Sequence, residues 1–340
     1  MKQHLNTLYV TREGVWLAKD GETVSIIDHG SSLMRVPLHN LESIITMGWD
    51  IGVSPQLLAA CAASGIRLSF CDPNGRFLAA ATGFTPGNVL LRRAQYRCAD
   101  QPEAALNIAR EMIAAKILNA RHVLLRVDRD RSGINLEPVI SSLAYSVQAA
   151  RKARDAAELL GIEGNAADAY FSAFPAAIAH DDPAFIFRGR SRRPPRDSVN
   201  ALMSFVYALL AHDCRSALES CGLDAAVGVL HRDRPGRPGL ALDLMEEFRA
   251  VLGDRLVLTL INRRQIKPGD FTREESGAVF LKEESRKIVL SAWQERKKET
   301  IMHPVIGEKI TIGLLPHIQA RLLARHLRGD VDAYTPMLWR

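Results

Sequence analysis

The sequence predicts an α+β protein, a small β-rich N-terminal domain followed by a larger all-α C-terminal domain, and three observations lead there. Up to residue 82, short runs of β-branched and aromatic residues are separated by Gly, Asp, Asn and Ser about every 8 to 12 residues, the spacing of strands and turns. After residue 98, apolar residues recur instead at the three- and four-residue intervals of helices. Between the two patterns lies "GFTPGN" at 83–88, whose glycines and proline interrupt regular pairing. The expected domains are therefore 1–82, a linker at 83–97, and a helical domain over 98–340.

Taken in order, "TLYVT", "GVWLA", "TVSII", "SLMRVPL" and "SIITMG" read as strands. One helix interrupts them: Ser54 is a capping residue, Pro55 sits at the first helical position, and Gly65 ends the segment "QLLAACAASG". "IRLSFCD" and "RFLAAATG" complete the sheet domain. Helices are expected near 103–127, 136–160, 164–175 and 198–220. The last has the clearest pattern, with Val199, Leu202, Met203, Val206, Leu209 and Leu210 on one face and Gly222 just beyond its end.

Composition excludes several classes. A 340-residue chain that is 47% hydrophobic and 24% charged has ample material for a core and does not read as disordered. The opening "MKQHLNTLYV" lacks the basic head and apolar core of a secretory leader, and no apolar run approaches the roughly 18 residues of a membrane span, so a cytoplasmic location without membrane association is expected. Five widely spaced cysteines, none in a C-x-x-C pair, read as buried hydrophobes rather than a disulfide framework or zinc site. Residues 1–90 carry 6 basic and 7 acidic side chains and the remainder 38 and 31, so the basic excess lies wholly in the helical part, as expected if that part holds a polyanion.

Two stretches carry candidate chemistry. "RGRSRRPPRD" places Arg188, Arg190, Arg192, Arg193 and Arg196 in a proline-broken and mobile loop, where arginine forks suit phosphate oxygens; Arg92, Arg93 and Arg97 are weaker candidates for the same task. "GVLHRDRPGRPGLALDLMEEFR" sets His231 in a Gly- and Pro-rich loop before a helix bearing Asp243, Glu246 and Glu247. At 100° per residue those acids share one arc opposite Leu244, Met245 and Phe248. Two readings follow: a solvated helix face, or an oxygen-rich site of one His and one or two carboxylates that suits Mg²⁺ or Mn²⁺ better than Zn²⁺. Glu163, between two glycines at an expected helix start, is the further carboxylate, out of place above Ala166, Ala167, Tyr170 and Phe174.

Together, "GIEGNAADAYFSAF", "PPRDSVNALMSFVYALL", the His231 stretch and "AWQERKKETIMHPVIGEKITIGLLPHIQARLLARHLRGD" resemble the CRISPR-associated integrase that captures new spacers, Cas protein one. "LYVTREGVWLAKDG" and "LLRRAQYR" resemble that family's N-terminal sheet domain and linker, so the likeness covers nearly the whole chain; the tail from Trp293 is most similar to the type I-C branch. The resemblance implies a metal-dependent DNA integrase and endonuclease that joins the 3′-OH ends of a prespacer duplex to the borders of a CRISPR repeat. It implies Mg²⁺ or Mn²⁺ held by Glu163, His231 and Glu246, with Asp243 in support, whereas Glu247 matches no ligand and keeps the reading of a solvated acid. It further implies a homodimer formed through the N-terminal domain and a complex with Cas protein two. The alternative is a DNA-binding scaffold without catalysis, whose acids are structural.

Overall fold

The computed structural model describes residues 6–339 apart from 74, 76, 82, 84–88 and 232. Most of the "GFTPGN" segment therefore lies outside the described residues. The chain divides into two compact units, Met1–Gly87 and Asn88–Arg340.

The first unit contains β1 (Asn6–Val10), β2 (Val15–Asp20), β3 (Thr23–Asp28), β4 (Ser31–Pro37), β5 (Leu41–Met47), β6 (Ile51–Val53), α1 (Pro55–Ser64), β7 (Arg67–Cys71) and β8 (Phe77–Ala81). They form two four-stranded sheets, in the orders β1-β5-β7-β8 and β4-β3-β2-β6. Neighbours joined by tight turns pair antiparallel, as in β2–β3 and β3–β4, whereas β5 and β7 are parallel because α1 crosses between them. Ser54 caps α1 by accepting the Leu57 N–H, and Gly65 closes it at φ +65°, the left-handed turn that glycine enters without a Cβ clash. Val15, Leu17, Val24, Ile44, Leu57 and Leu68 fill the core of this unit.

The second unit is mostly helical: α2 (Val89–Asp100), α3 (Pro102–Asp130), α4 (Glu137–Lys152), α5 (Ala156–Ala173), α6 (Ser198–Ser220), α7 (Gly239–Glu246), α8 (Arg255–Asn262), α9 (Glu283–Lys298) and α10 (Leu315–Leu327). It is not wholly α. Two short antiparallel hairpins, β9 (Phe271–Arg273) with β10 (Val279–Leu281) and β11 (Thr300–Met302) with β12 (Lys309–Thr311), occupy its later part. Three-residue strands leave too little alternation to be read beside strong helical periodicity. Among the described residues no helix is long and apolar enough to cross a membrane.

Three expectations change here. The helix expected over 136–160 is two helices, because the backbone turns extended at Ala153 and Asp155 and Asp155 caps α5 by accepting the Glu158 N–H. Glu163 consequently lies well inside α5, not at a helix start; Gly161 and Gly164 are accommodated as ordinary helical residues. The acids of α7 are not a solvated face: Asp243 is 1% exposed, Glu246 4% and Glu247 0%. They share one arc, as 100° per residue predicts, but α3, α6 and α10 all pack on α7, so this helix has no outward side. Beyond Glu246 the chain passes through one π-helical stretch, Arg249–Asp254, before α8.

Candidate active site

The loop before α7 is drawn tightly against the start of that helix. Gly239 N–H bonds the Ala226 carbonyl and Ala241 N–H that of Ala225. At Gly228 a Cβ would lie 2.6 Å from an Asp243 carboxylate oxygen and 2.9 Å from the Gly239 carbonyl carbon, so only glycine permits the approach. The carboxylate of Asp243 then collects the loop: Oδ2 accepts the N–H groups of Val229 (2.7 Å) and Leu230 (3.1 Å), and Oδ1 accepts the N–H of His231 (3.1 Å) and faces its Nδ1 at 2.5 Å. A carboxylate accepts and does not donate, so Nδ1 carries a proton, and Nε2 is the nitrogen whose lone pair is free whenever the ring is neutral.

One helical turn later, Glu246 meets two cations. Its Oε1 is 2.9 Å from Arg249 and its Oε2 is 2.8 Å from Lys116 Nζ, although Oε2 receives no hydrogen bond of acceptable geometry. The same Lys116 ammonium, from the middle of α3, donates to Glu163 on α5. Two carboxylates from different helices thus share one positive group. Burial pushes the Glu246 carboxyl up, but Arg249, Lys116 and His231 outweigh it and hold the group down at about 2, so it is ionised throughout the physiological range.

Glu247 has the opposite character. It accepts hydrogen bonds from Tyr334 Oη, the Met337 N–H (2.7 Å) and Gln319 Nε2 (3.1 Å), without a basic partner among the described residues. Burial raises its carboxyl to about 7 against those three donors.

A cleft opens beside this cluster, lined by Lys116, Glu163, Tyr170, Arg192, Tyr207 and Arg249. Its floor is rigid. Buried Asp254 accepts the hydroxyls of Tyr207 (2.5 Å) and Tyr170 (3.0 Å), and the guanidinium groups of Arg190 and Arg249 lie 5.1 and 5.2 Å from the centre of the Tyr207 ring.

The five loop arginines separate. Arg190 is a structural member: it donates to the Ser191 carbonyl and to Asn200 Oδ1, and Asn200 in turn donates to the Gly189 carbonyl. With Arg196 N–H on Ser191 Oγ and Val279 N–H on the Pro195 carbonyl, the loop expected to be mobile is held at several points. Arg188, Arg192, Arg193 and Arg196 are exposed and have no carboxylate partner among the described residues. Arg192 faces the cleft of Glu163. Arg188 and Arg196 line a second groove, with Ile186, Phe271 and Arg273 from β9.

A family model described as CRISPR associated protein Cas1 matches residues 8–295. The chain belongs to the Cas1 family. It is 52% identical over 344 residues, and over the whole of both chains, to a protein of Chlorobaculum tepidum named CRISPR-associated endonuclease Cas1 1. Its fold is similar to that of a casposase bound to integration product (TM-score 0.84, 24% identity, 99% of this chain and 95% of that one). It is similar also to a chain of a Cas6-RT-Cas1–Cas2 complex (TM-score 0.83, 23% identity, 99% of this chain and 36% of that one). Membership of the Cas1 family places the chain among the CRISPR-associated endonucleases of spacer acquisition.

Within this Cas1 fold, Glu163 joins Glu246 and His231 joins Asp243, but the described residues contain no single cluster of three His, Cys, Asp or Glu side chains close enough to share an ion. Lys116 is the cation between the two glutamates. Sequence reasoning passed over Lys116, although a lone lysine within "MIAAKILNA" is a signal of the same kind as Glu163 above its alanines. Arg249, three residues after Glu246, was legible as an i, i+3 partner. Arg273 carried no signal, since only the β9–β10 hairpin brings it to the loop. His303 is buried, with Nδ1 accepting the N–H groups of Val305 and Ile306, as befits a structural residue.

Proposed function

We propose that this member of the Cas1 family is a metal-dependent DNA integrase that joins the 3′-OH ends of a prespacer duplex to the borders of a CRISPR repeat, and a nuclease when water replaces the 3′-OH. The observation that carries the reading is the convergence of Glu163 and Glu246 on one cation beside a histidine whose free nitrogen is set by Asp243. The buried Oε2 of Glu246 faces the Lys116 ammonium, at an angle poor for a hydrogen bond, and a divalent ion fits the same place, as two hard carboxylates with one imidazole suit such an ion. Glu163, Glu246 and His231 would hold Mg²⁺ or Mn²⁺. When bound, such an ion supplies positive charge to the phosphate oxygens on which negative charge grows during transesterification.

The chain's own residues supply the rest. Arg249 and Lys116 keep Glu246 ionised, so the seat is charged before a ligand arrives. Asp243 fixes the tautomer and the aim of His231. In the reaction a P–O bond forms to the incoming 3′ oxygen as the P–O bond to the repeat's 3′ oxygen breaks, and that oxygen leaves as a new 3′-OH. Arg192 stands in the same cleft to meet a phosphate, while Arg188 and Arg196, with Arg273, hold backbone further away, and exposed Arg193 is a further candidate for that backbone. Arg92, Arg93 and Arg97 on α2 remain candidates for the same backbone.

Sequence-independent contact of this kind suits prespacers of varied sequence. The casposase likeness supports strand joining, and the likeness to a chain of a complex containing Cas2 supports Cas2 as a partner; the proposed working unit is a homodimer, paired through residues 1–82 and bridged by Cas2. Stripping the protein with EDTA and restoring Mn²⁺ or Mg²⁺ tests the reading: strand joining should vanish and return. Joining that persists in EDTA would sink it.

A further inference from the structure

Asn119 is fully buried on α3, three residues beyond Lys116, and both ends of its amide are hydrogen-bonded. Nδ2 donates to the carbonyls of Glu247 and Met337, each at 2.8 Å, and Oδ1 accepts the Trp339 N–H at 2.8 Å. The Glu247 carboxylate takes the Tyr334 hydroxyl and the Met337 N–H. Residues 334–339 have no regular secondary structure, so their backbone groups lack a ladder and find partners in these two side chains. The guanidinium groups of Arg255 and Arg296 lie over the Trp339 ring, 5.6 and 5.8 Å from its centre.

These anchors adjoin the site. Asn119 is one turn from Lys116 on α3, and Glu247 directly follows Glu246 at the end of α7. α7 is only eight residues long and gives way to the π-helical stretch at Arg249, so helical continuity alone does not set where the Glu246 carboxylate points. Glu247 is a buried acid with no basic partner among the described residues, an arrangement that costs stability and that fold support alone does not require.

Resting on the reading of Glu163, His231 and Glu246 as metal ligands, we propose that Asn119, Glu247 and residues 334–339 form a positioning strap that holds the end of α7 so that Glu246 meets Glu163 at the ion. None of the three touches substrate; they act through Glu246.

The test is Mn²⁺ affinity of the full chain, measured by titration with electron paramagnetic resonance detection of free Mn²⁺, without DNA. Wild type is compared with Asn119→Ala, Tyr334→Phe, a chain lacking residues 334–340, and Val289→Ala as a core variant of matched thermal destabilisation. The strap variants should bind Mn²⁺ about 10- to 100-fold more weakly, Val289→Ala should bind as wild type does, and a synthetic peptide of residues 331–340 should restore the truncated chain. Wild-type affinity in the strap variants, or an equal loss in Val289→Ala, would overturn the strap alone. Absence of saturable Mn²⁺ binding in wild type, or binding that survives Glu163→Ala, would overturn the metal-ligand reading and the strap with it.

Discussion

The acids of α7 and the arginines of the 188–196 loop are both dense runs of one charge, and the fold treats them in opposite ways. Asp243, Glu246 and Glu247 are buried, and each has its own set of donors. Arg188, Arg192, Arg193 and Arg196 stand in solvent without a carboxylate partner among the described residues. A buried charge persists only with partners, and those partners impose its direction; an exposed charge keeps freedom and acts at a distance set by salt. The first kind suits chemistry, which needs geometry. The second suits affinity for a polyanion, which needs only sign and density.

The comparison breaks most visibly if the acids are removed. Glu163→Ala or Glu246→Ala should lower strand joining on the order of 10³-fold or more, the loss of several kcal/mol of charge stabilisation, while duplex binding stays unchanged. A binding assay and a joining assay on one preparation check this. Asp243→Asn sits a step lower: it leaves the ligands in place but frees the imidazole, so joining should fall about 10- to 100-fold.

The arginines sharpen the other side. Arg188→Ala, Arg196→Ala or Arg273→Ala should each weaken duplex binding and reduce the slope of log affinity against log salt by about 1, with the rate at saturating DNA near wild type. Salt titrations of affinity read this directly; a slope unchanged in all three would remove the second groove from the DNA path. Arg190→Ala should differ by lowering thermal stability, since its guanidinium holds Asn200 and stacks on Tyr207.

The smallest effect concerns Glu247. Its carboxyl, raised to about 7 by burial, lies above the ordinary value near 4.5, so folding favours the protonated form. The stability this contributes is complete below about pH 4.5 and is lost as pH rises through 7. Glu247→Gln should therefore gain about 1 kcal/mol relative to wild type between pH 6 and 8.5, visible as a pH-dependent difference in denaturant midpoint.

Much of this was legible in the residues, for reasons that differ by element. The helix from Ser54 to Gly65 announced itself through a cap, a first-turn proline and a glycine stop, all local signals. α6 did so through an apolar repeat long enough to be unambiguous. The break at Ala153–Asp155 was hidden because helical periodicity runs through it, and only the cap at Asp155 marks it. At the site, residue types were readable and surroundings were not. One helix's angular pattern groups Asp243, Glu246 and Glu247, yet whether that arc meets water depends on α3, α6 and α10, which lie far away in sequence. Hence Glu247 was read as solvated when it is the most buried of the three. Asn119 escaped for the same reason: its partners lie 128 and more residues away.

The most direct test follows a labelled duplex with a free 3′-OH into a supercoiled plasmid carrying a repeat, with Mn²⁺ and Cas2, for wild type, His231→Ala and an Arg188→Ala, Arg196→Ala double variant at saturating duplex. The account predicts product from wild type and from the arginine variant, and none from His231→Ala although it binds duplex as wild type does. Equal product from His231→Ala would contradict it, leaving the buried acids as structural residues of a DNA-binding scaffold and the chemistry elsewhere.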